Sequence, residues 1–299
     1  MNISDLKSFL AVIEYHSITL AAKALHVTQS SISKRIQKLE NEVKARLFIM
    51  QGSRITLTPA GKNLVPYARQ IVASHHGLIH SIKEENSESQ QSLTIGASIY
   101  VSHYVLPAFI YHLQESRPTL KIHLRTMSEK DMADYLNYGL IDLALCPVQK
   151  TLPNILLSAP MWQEKLKAVA AKVHPLSRAR HTIELSELAQ YPAILTEGGV
   201  YLRDVVDDLF HEQNVPLKLG MGVSTIDAIK SLVSYGIGWS FMQERLCGDP
   251  LKIINVAGVD MIMNFHWAYL KKREDERTIK DFIGCLGDWL KKDSFCKLF

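Results

Sequence analysis

The stretch from Thr28 to Glu40, TQSSISKRIQKLE, constrains this chain more than any other. Thr28 offers a hydroxyl that can accept from the N–H groups opening a helix, as an N-cap does. Behind it Ile32, Ile36 and Leu39 recur at spacings of four and three, which makes one apolar stripe. The remaining faces carry Gln29, Ser30, Ser31, Ser33, Lys34, Arg35 and Lys38. Amides and hydroxyls can read base edges, and cationic side chains can hold phosphates. Such a helix suits a DNA groove. The same pattern also describes an ordinary solvated amphipathic helix, so the flanking residues must decide.

Upstream, Ser4 is expected to cap a helix from Asp5 to about Tyr15 with a core face of Leu6, Phe9, Leu10 and Ile13. Ser17 can cap a second, short helix carrying Leu20, Ala21, Ala24 and Leu25, and the small Ala21-Ala22 pair permits a close neighbour. His26-Val27 then turn the chain into Thr28. A short helix, a tight turn and a helix bearing bases is the arrangement of a helix-turn-helix. Downstream, Arg46 to Met50 and Arg54 to Leu57 read as β-prone runs joined by Gln51-Gly52-Ser53. A basic hairpin there would form a wing with Arg54 at phosphate distance.

Charge supports the same assignment. The chain's formal net charge is +4, and residues 1–91 hold eleven Lys and Arg against seven Asp and Glu, which leaves 23 of each beyond. All the excess positive charge therefore sits in one N-terminal module, the footprint of a module that meets a polyanion. The N-terminus lacks a basic n-region and places Asp5 and Glu14 among its apolar positions, so no signal peptide is expected. No apolar run is long enough to span a membrane. Cys146, Cys247, Cys285 and Cys296 form no CxxC pair and no disulfide framework. A cytoplasmic location is the expectation.

Thr58-Pro59-Ala60-Gly61 begins a helix, with proline at its first position, that should run to about Ser87. Leu64, Ala68, Ile71, His75, Leu78 and Ile82 alternate by four and three, a candidate dimerising seam, and Pro66 should bend the helix. Residues 83–91, KEENSESQQ, read as a helix end and linker.

Residues 5–61 resemble the winged helix-turn-helix of LysR-type transcriptional regulators. The resemblance rests on Phe9, Ser17, Ala21-Ala22, Leu25, Gln29, Ser33, Ile36, Leu39-Glu40, Leu47-Phe48, Leu57-Thr58 and Gly61. The chain departs from that pattern at Ser30, where proline is usual, near Lys44, where glycine is usual, and at Met50, where arginine is usual. With that arginine gone, more of the phosphate grip should fall on Lys34, Arg35 and Arg54.

From Leu93 onward, short apolar runs alternate with helical stretches, an α/β pattern. Strands are expected at 93–97, 121–126, 141–146, 166–170, 193–195, 218–223, 238–242 and 265–270. Helices are expected around 105–113 and at 131–138, 182–189, 201–212, 225–234 and 275–290. This order, with YGLIDLAL at 138–145 and YGIGWSFMQ at 235–243, resembles the family's effector domain, which is similar to periplasmic binding proteins. The resemblance implies an α+β multi-domain chain. A winged helix-turn-helix would occupy 1–58, a linker and dimerisation helix 59–91, and a two-lobed α/β effector domain 92–299. One lobe would hold 92–161 with 266–299 and the other 162–265.

Ligands of open α/β sheets sit beyond strand carboxyl ends and at helix N-termini. That rule selects Ser98, Ile99, Tyr100, Met127, Ser128, Pro147 and Val148 from one lobe. From the other it selects Thr196, Gly198, Gly199, Val200, Tyr201, Ser224 and Thr225. Their hydroxyls and free N–H groups would suit a small anion such as a carboxylate. Ser98 and Ser224 are equally readable as plain helix caps. His103, Arg125 and Arg203 are candidate cleft bases.

Other features point to less. His76 and His80 have i, i+4 metal-ligand spacing beside His75, but no Cys or carboxylate clusters with them, so no metal is expected. Gly236-Ile237-Gly238 follows a helix and precedes a strand, the reverse of a phosphate-binding loop. No catalytic constellation and no cofactor motif is identifiable from spacing. The expected partners are double-stranded operator DNA, a small-molecule effector, further copies of the chain as homodimer and homotetramer, and RNA polymerase. The competing reading is a solute-binding protein of a transporter, which leaves residues 1–91 unexplained.

Overall fold

The computed structural model describes residues 2–51, 54–85, 92–148, 152–179 and 181–292. The turn residues Gly52-Ser53, the side chains of Met50, Arg54, His76, His80 and Ile82, the linker at 86–91 and Cys296 lie outside the described residues. The chain divides into two compact units, residues 1–89 with 137–140, and residues 90–136 with 141–299.

The first unit begins with α1 (Ile3–Tyr15), α2 (Ile18–Ala24) and α3 (Gln29–Val43). The cap of α1 is Asn2 rather than Ser4. Asn2 accepts from the Asp5 N–H, and the Asp5 carboxylate accepts from the Asn2 N–H, a reciprocal box that a serine two residues later cannot close. Ser17 and Thr28 cap α2 and α3 as expected. Leu6, Phe9, Val12, Ala21, Ile32, Ile36 and Leu39 form one buried core. The hairpin strands are β1 (Phe48–Gln51) and β2 (Arg54–Leu57), so the first starts two residues later than its sequence pattern suggests. The reason is that Arg46 and Leu47 spend their backbone groups elsewhere. The Leu47 N–H donates to Glu40 and its carbonyl accepts from Thr58, while the Arg46 carbonyl accepts from the Thr58 hydroxyl.

The helix α4 (Pro59–Glu85) continues through Pro66. Gly61 is obligatory at its start, because a Cβ there would lie 2.2 Å from the Leu47 carbonyl oxygen. The expected seam divides. Ala68, with Val72, is buried in the unit's own core, whereas Tyr67, Ile71 and Leu78 are exposed.

The second unit opens with β3 (Ser92–Ala97), a π-helical turn at Val101–Val105 and α5 (Leu106–Ser116). Next come β4 (Lys121–Thr126), α6 (Glu129–Asn137), β5 (Leu143–Pro147) and β6 (Leu156–Ala171). Then follow α7 (Leu185–Leu188), β7 (Ala193–Thr196), α8 (Tyr201–Glu212), β8 (Leu219–Val223) and α9 (Ile226–Ser234). The chain closes with β9 (Trp239–Gln243), β10 (Leu251–Ile254), β11 (Met261–Leu270) and α10 (Arg277–Lys291).

The strands join in the order β4-β3-β5-β11-β6-β9-β7-β8, with β10 paired to β6. Two parallel sets, β4-β3-β5 and β9-β7-β8, form the sheets of two lobes. Long antiparallel β6 and β11 run through both. Their register shifts between Phe265 and His266, leaving Met161 as an extra residue on β6. There Trp162 stacks on Phe265 with centroids 4.7 Å apart.

Two expectations for this unit need correction. Residues 166–170 and 265–270 are only the recognisable portions of β6 and β11. Pro160 and the bulge interrupt the alternation that marks a strand. The helix expected at 182–189 shrinks to Leu185–Leu188, since Ile183 pairs with residues 255–257 through its own N–H and carbonyl.

Candidate functional site

On α3, Thr28 uses its hydroxyl on the Ser31 N–H and approaches the Ser30 and Ser31 hydroxyls. Gln29 donates to the Thr19 hydroxyl at 2.8 Å, tying the start of α3 to α2. Ser30 and Lys34 are exposed, and Ser31 and Ser33 are half-buried. Two of the expected phosphate contacts are turned toward the module itself. Arg35 donates to Ser8 Oγ at 3.2 Å, and Ser8 is fully buried. Lys38 Nζ stands 3.5 Å from the carboxylate of Asp5, which is 2% exposed. A buried carboxylate needs such a counter-charge, so Lys38 and Arg35 orient α3 against α1. Arg54 opens β2, and its side chain is not described.

Glu40 fixes the other end of α3. Its carboxylate accepts from the Leu47 N–H at 2.8 Å and from Arg46 at 3.0 Å, which joins the helix to the hairpin. Lys44, where the helix stops, has φ 52° and ψ 35°. That left-handed conformation favours glycine and explains why a glycine is the residue expected there.

In the second unit the carboxyl ends of β3, β4 and β5 face those of β7, β8 and β9 around a cavity of about 120 Å³. Of the residues selected from sequence, Ser98, Ile99, Tyr100, Met127, Ser128, Pro147, Thr196, Val200 and Ser224 line it. Four do not. Thr225 caps α9 through the Ala228 N–H, and the Val148 N–H donates to the Asn264 carbonyl. Gly199, at φ 94°, faces the Lys130 side chain, and Tyr201 contributes its backbone N–H to Glu129. Gly198 does not line it either. Neither do His103, Arg125 and Arg203. Arg203 is held by Asp207 and the Thr196 carbonyl, and His103 stands 4.0 Å from Asp227.

The lining also includes Glu129, Leu202, Ile226, Gln243, Met263 and Phe265, none of which the sequence reading selected. Gln243 ends β9, so the strand-end rule applied to that strand would have found it. Met263 and Phe265 come from the crossover strand whose first half was not recognised. Glu129 is the first residue of α6, one place beyond the turn.

The Ser98 Oγ, Thr196 Oγ1 and Gln243 Oε1 are all buried and have no hydrogen-bond partner, while the Tyr100 hydroxyl donates to Glu164. Orphaned buried polar atoms are rare, because each carries a desolvation cost. Three on one cavity mark a place for a polar guest. Ser98 is therefore no helix cap. Burial, with Glu164 nearby, raises the Tyr100 hydroxyl far above the usual phenol range. Burial also raises Glu129 above the usual carboxylate range, although it accepts from its own and the Tyr201 backbone N–H. Tyr104 to Asp227 at 2.6 Å, Lys130 to Asp204 at 3.6 Å, and Glu129 to the Tyr201 N–H all span the cleft from lobe to lobe.

Known proteins share both units. The bacterial regulatory helix-turn-helix protein model of the lysR family matches residues 3–62, and the LysR substrate binding domain model matches residues 86–291. An uncharacterized HTH-type transcriptional regulator of Bacillus subtilis, YwqM, is 29% identical, with 84% of this chain and 85% of that one covered. The structure of full-length CbnR complexed with its target DNA is similar at a TM-score of 0.65 and 21% identity, covering 96% of this chain and 99% of that one. The effector binding domain of QuiR in complex with shikimate is similar at a TM-score of 0.59 and 23% identity, covering 67% of this chain and 97% of that one. A transporter's solute-binding protein is not favoured, since it leaves the matched helix-turn-helix without a role. The chain belongs to the LysR family of bacterial DNA-binding transcriptional regulators.

Proposed function

We propose that this regulator senses a small molecule in the cavity between its two C-terminal lobes and transmits occupancy to operator binding. The three orphaned polar atoms at the strand ends carry the reading. A guest that satisfies them contacts both lobes, since Ser98 belongs to one and Thr196 and Gln243 to the other. It would thereby shift the lobes' relative stability, as any ligand with different affinity for two states does. That a neighbour of the C-terminal unit was solved with shikimate supports a small-molecule effector.

On the DNA side, Gln29, Ser30, Ser33 and Lys34 are the proposed groove contacts, with Arg54 of the hairpin on a phosphate. Arg35 and Lys38 set the angle of α3. Homodimers through the exposed Tyr67, Ile71 and Leu78 of α4 would present paired recognition helices to a pseudo-palindromic site, and the C-terminal units would join dimers into tetramers. The proposed segments are 1–58, 59–91 and 92–299, with the lobes meeting at the bulge in β6 and β11.

The test uses DNA recovered by genome-wide mapping of bound sites. Lys34→Ala should weaken binding across sequences and lower the salt slope by about one. Lys38→Ala should leave the slope unchanged and lower the stability of the N-terminal unit. An unchanged affinity for Lys34→Ala would overturn the groove assignment. For the cavity, thermal shifts given by metabolites should disappear in Ser98→Ala or Thr196→Val; shifts indifferent to both would sink the effector reading.

A further inference from the structure

The cavity's charge arrangement goes against the small anion that convergent hydroxyls and helix N-termini suggest. Among the described residues no lysine or arginine lines it. Three cations that lie next to lining residues along the chain are already engaged: Lys130 with Asp204, Arg203 with Asp207, and Arg245 with Glu164 at 2.6 Å. The first N–H of α8, the place where a helix dipole would hold a ligand's carboxylate, is bonded to the side chain of Glu129. The protein thus supplies its own carboxyl group at the anion position. A second carboxylate entering this space would meet Glu129 at close range in a poorly solvated pocket.

What the cavity lacks is neutral hydrogen-bonding partners. Ser98 and Thr196 have hydroxyls that can donate or accept, and Gln243 Oε1 requires a donor from the guest. Apart from Ser128, Ser224 and Glu129, the rest of the wall, including Ile99, Val200, Met263 and Phe265, is apolar. The volume of about 120 Å³ is slightly below the ~150 Å³ that accommodates benzene. We propose that the cleft takes a small uncharged molecule bearing hydroxyl or amide groups, and not a carboxylate, because Glu129 already occupies the anion position at the start of α8. This rests on the reading of the cavity as the effector site.

Lactamide and lactate are isosteric, fit this volume and differ in charge, so the pair isolates the point. Their binding to the full-length protein is measured by saturation-transfer NMR and titration near neutral pH at matched ionic strength. Lactamide should bind about tenfold or more tightly than lactate, given one like-charge contact in a low-dielectric site. Glu129→Gln, which keeps an acceptor for the Tyr201 N–H, should raise lactate affinity about tenfold and move lactamide little. Lactate binding as tightly as lactamide in the unaltered protein overturns the proposal, and this comparison needs no variant to fold. An unchanged ratio in Glu129→Gln overturns it as well. Thr196→Val separates the two readings. If both probes bind but neither weakens in Thr196→Val, the site reading fails; if both weaken yet lactate is preferred, only the ligand class fails. If neither probe binds the unaltered protein, both readings fall.

Discussion

Replacing Glu40 by alanine tests how the recognition helix is held to the hairpin. Glu40 is 8% exposed and Leu47, whose N–H it accepts, is 1% exposed. Removing the carboxylate leaves that N–H buried and unpaired, a loss of about 1.5–3 kcal/mol for a bond to a charged acceptor. The Arg46 side chain is 79% exposed, so its ion pair adds no more than about 1 kcal/mol. The expected destabilisation of the N-terminal unit is therefore about 2–3 kcal/mol, which for a unit of this size lowers its midpoint on the order of 10–20 °C. Glu40→Gln keeps a carbonyl for Leu47 and should cost about 1 kcal/mol. The assay can separate the units. Trp162, Trp239, Trp267 and Trp289 are the chain's only tryptophans and all lie in the C-terminal unit, whereas helices dominate the N-terminal one. Far-UV circular dichroism should show an early transition in Glu40→Ala while the tryptophan fluorescence transition stays in place. A fluorescence transition that moves equally, or a total effect below about 0.5 kcal/mol, would refute the assignment of Glu40 as the link.

Lys44→Gly should raise the stability of the N-terminal unit by about 1 kcal/mol, because Lys44 holds a left-handed conformation that costs a side chain energy; a lower circular-dichroism midpoint would contradict this. His174 bears on pH. It is buried, accepts from the Leu176 N–H at 3.2 Å, and burial lowers its imidazole below the ordinary value of 6.5. The unfolded state therefore binds a proton first, so this contribution to stability is fully present above pH 6.5 and is lost as pH falls below it. His266 has the same sign, and the raised carboxyls of Glu129 and Glu164 have the opposite one. The difference between the unaltered protein and His174→Asn isolates the histidine. The variant keeps an acceptor but cannot titrate, so its fluorescence midpoint should fall less steeply on acidification, and parallel curves would rule the contribution out.

The N-terminal module was legible because its information is local. Thr28 and Ser17 cap helices whose apolar positions recur at helical spacing, and the excess charge is confined to that region. Strand ends were legible for the same reason, which is how Ser98, Tyr100 and Thr196 could be named before any contact was visible. Tertiary pairing decided the rest. The sequence shows Arg35 and Lys38 only as bases on a polar face; their turn toward Ser8 and Asp5 depends on how α1 crosses α3, a contact between residues some thirty positions apart. The first half of β6 gains its identity from β11, about a hundred residues later, and Pro160 hides it from any local pattern. Glu129 is the clearest case. Its position at the start of a helix can be read from the chain, but its bond to the Tyr201 N–H requires two lobes to meet. By itself the sequence determined the elements, the module that carries positive charge and the family pattern, since propensity, capping and charge act over a few residues. Only the tertiary structure decided which of those charges remain free and which close the cleft from within, because electrostatic neighbours are set by packing and not by order along the chain.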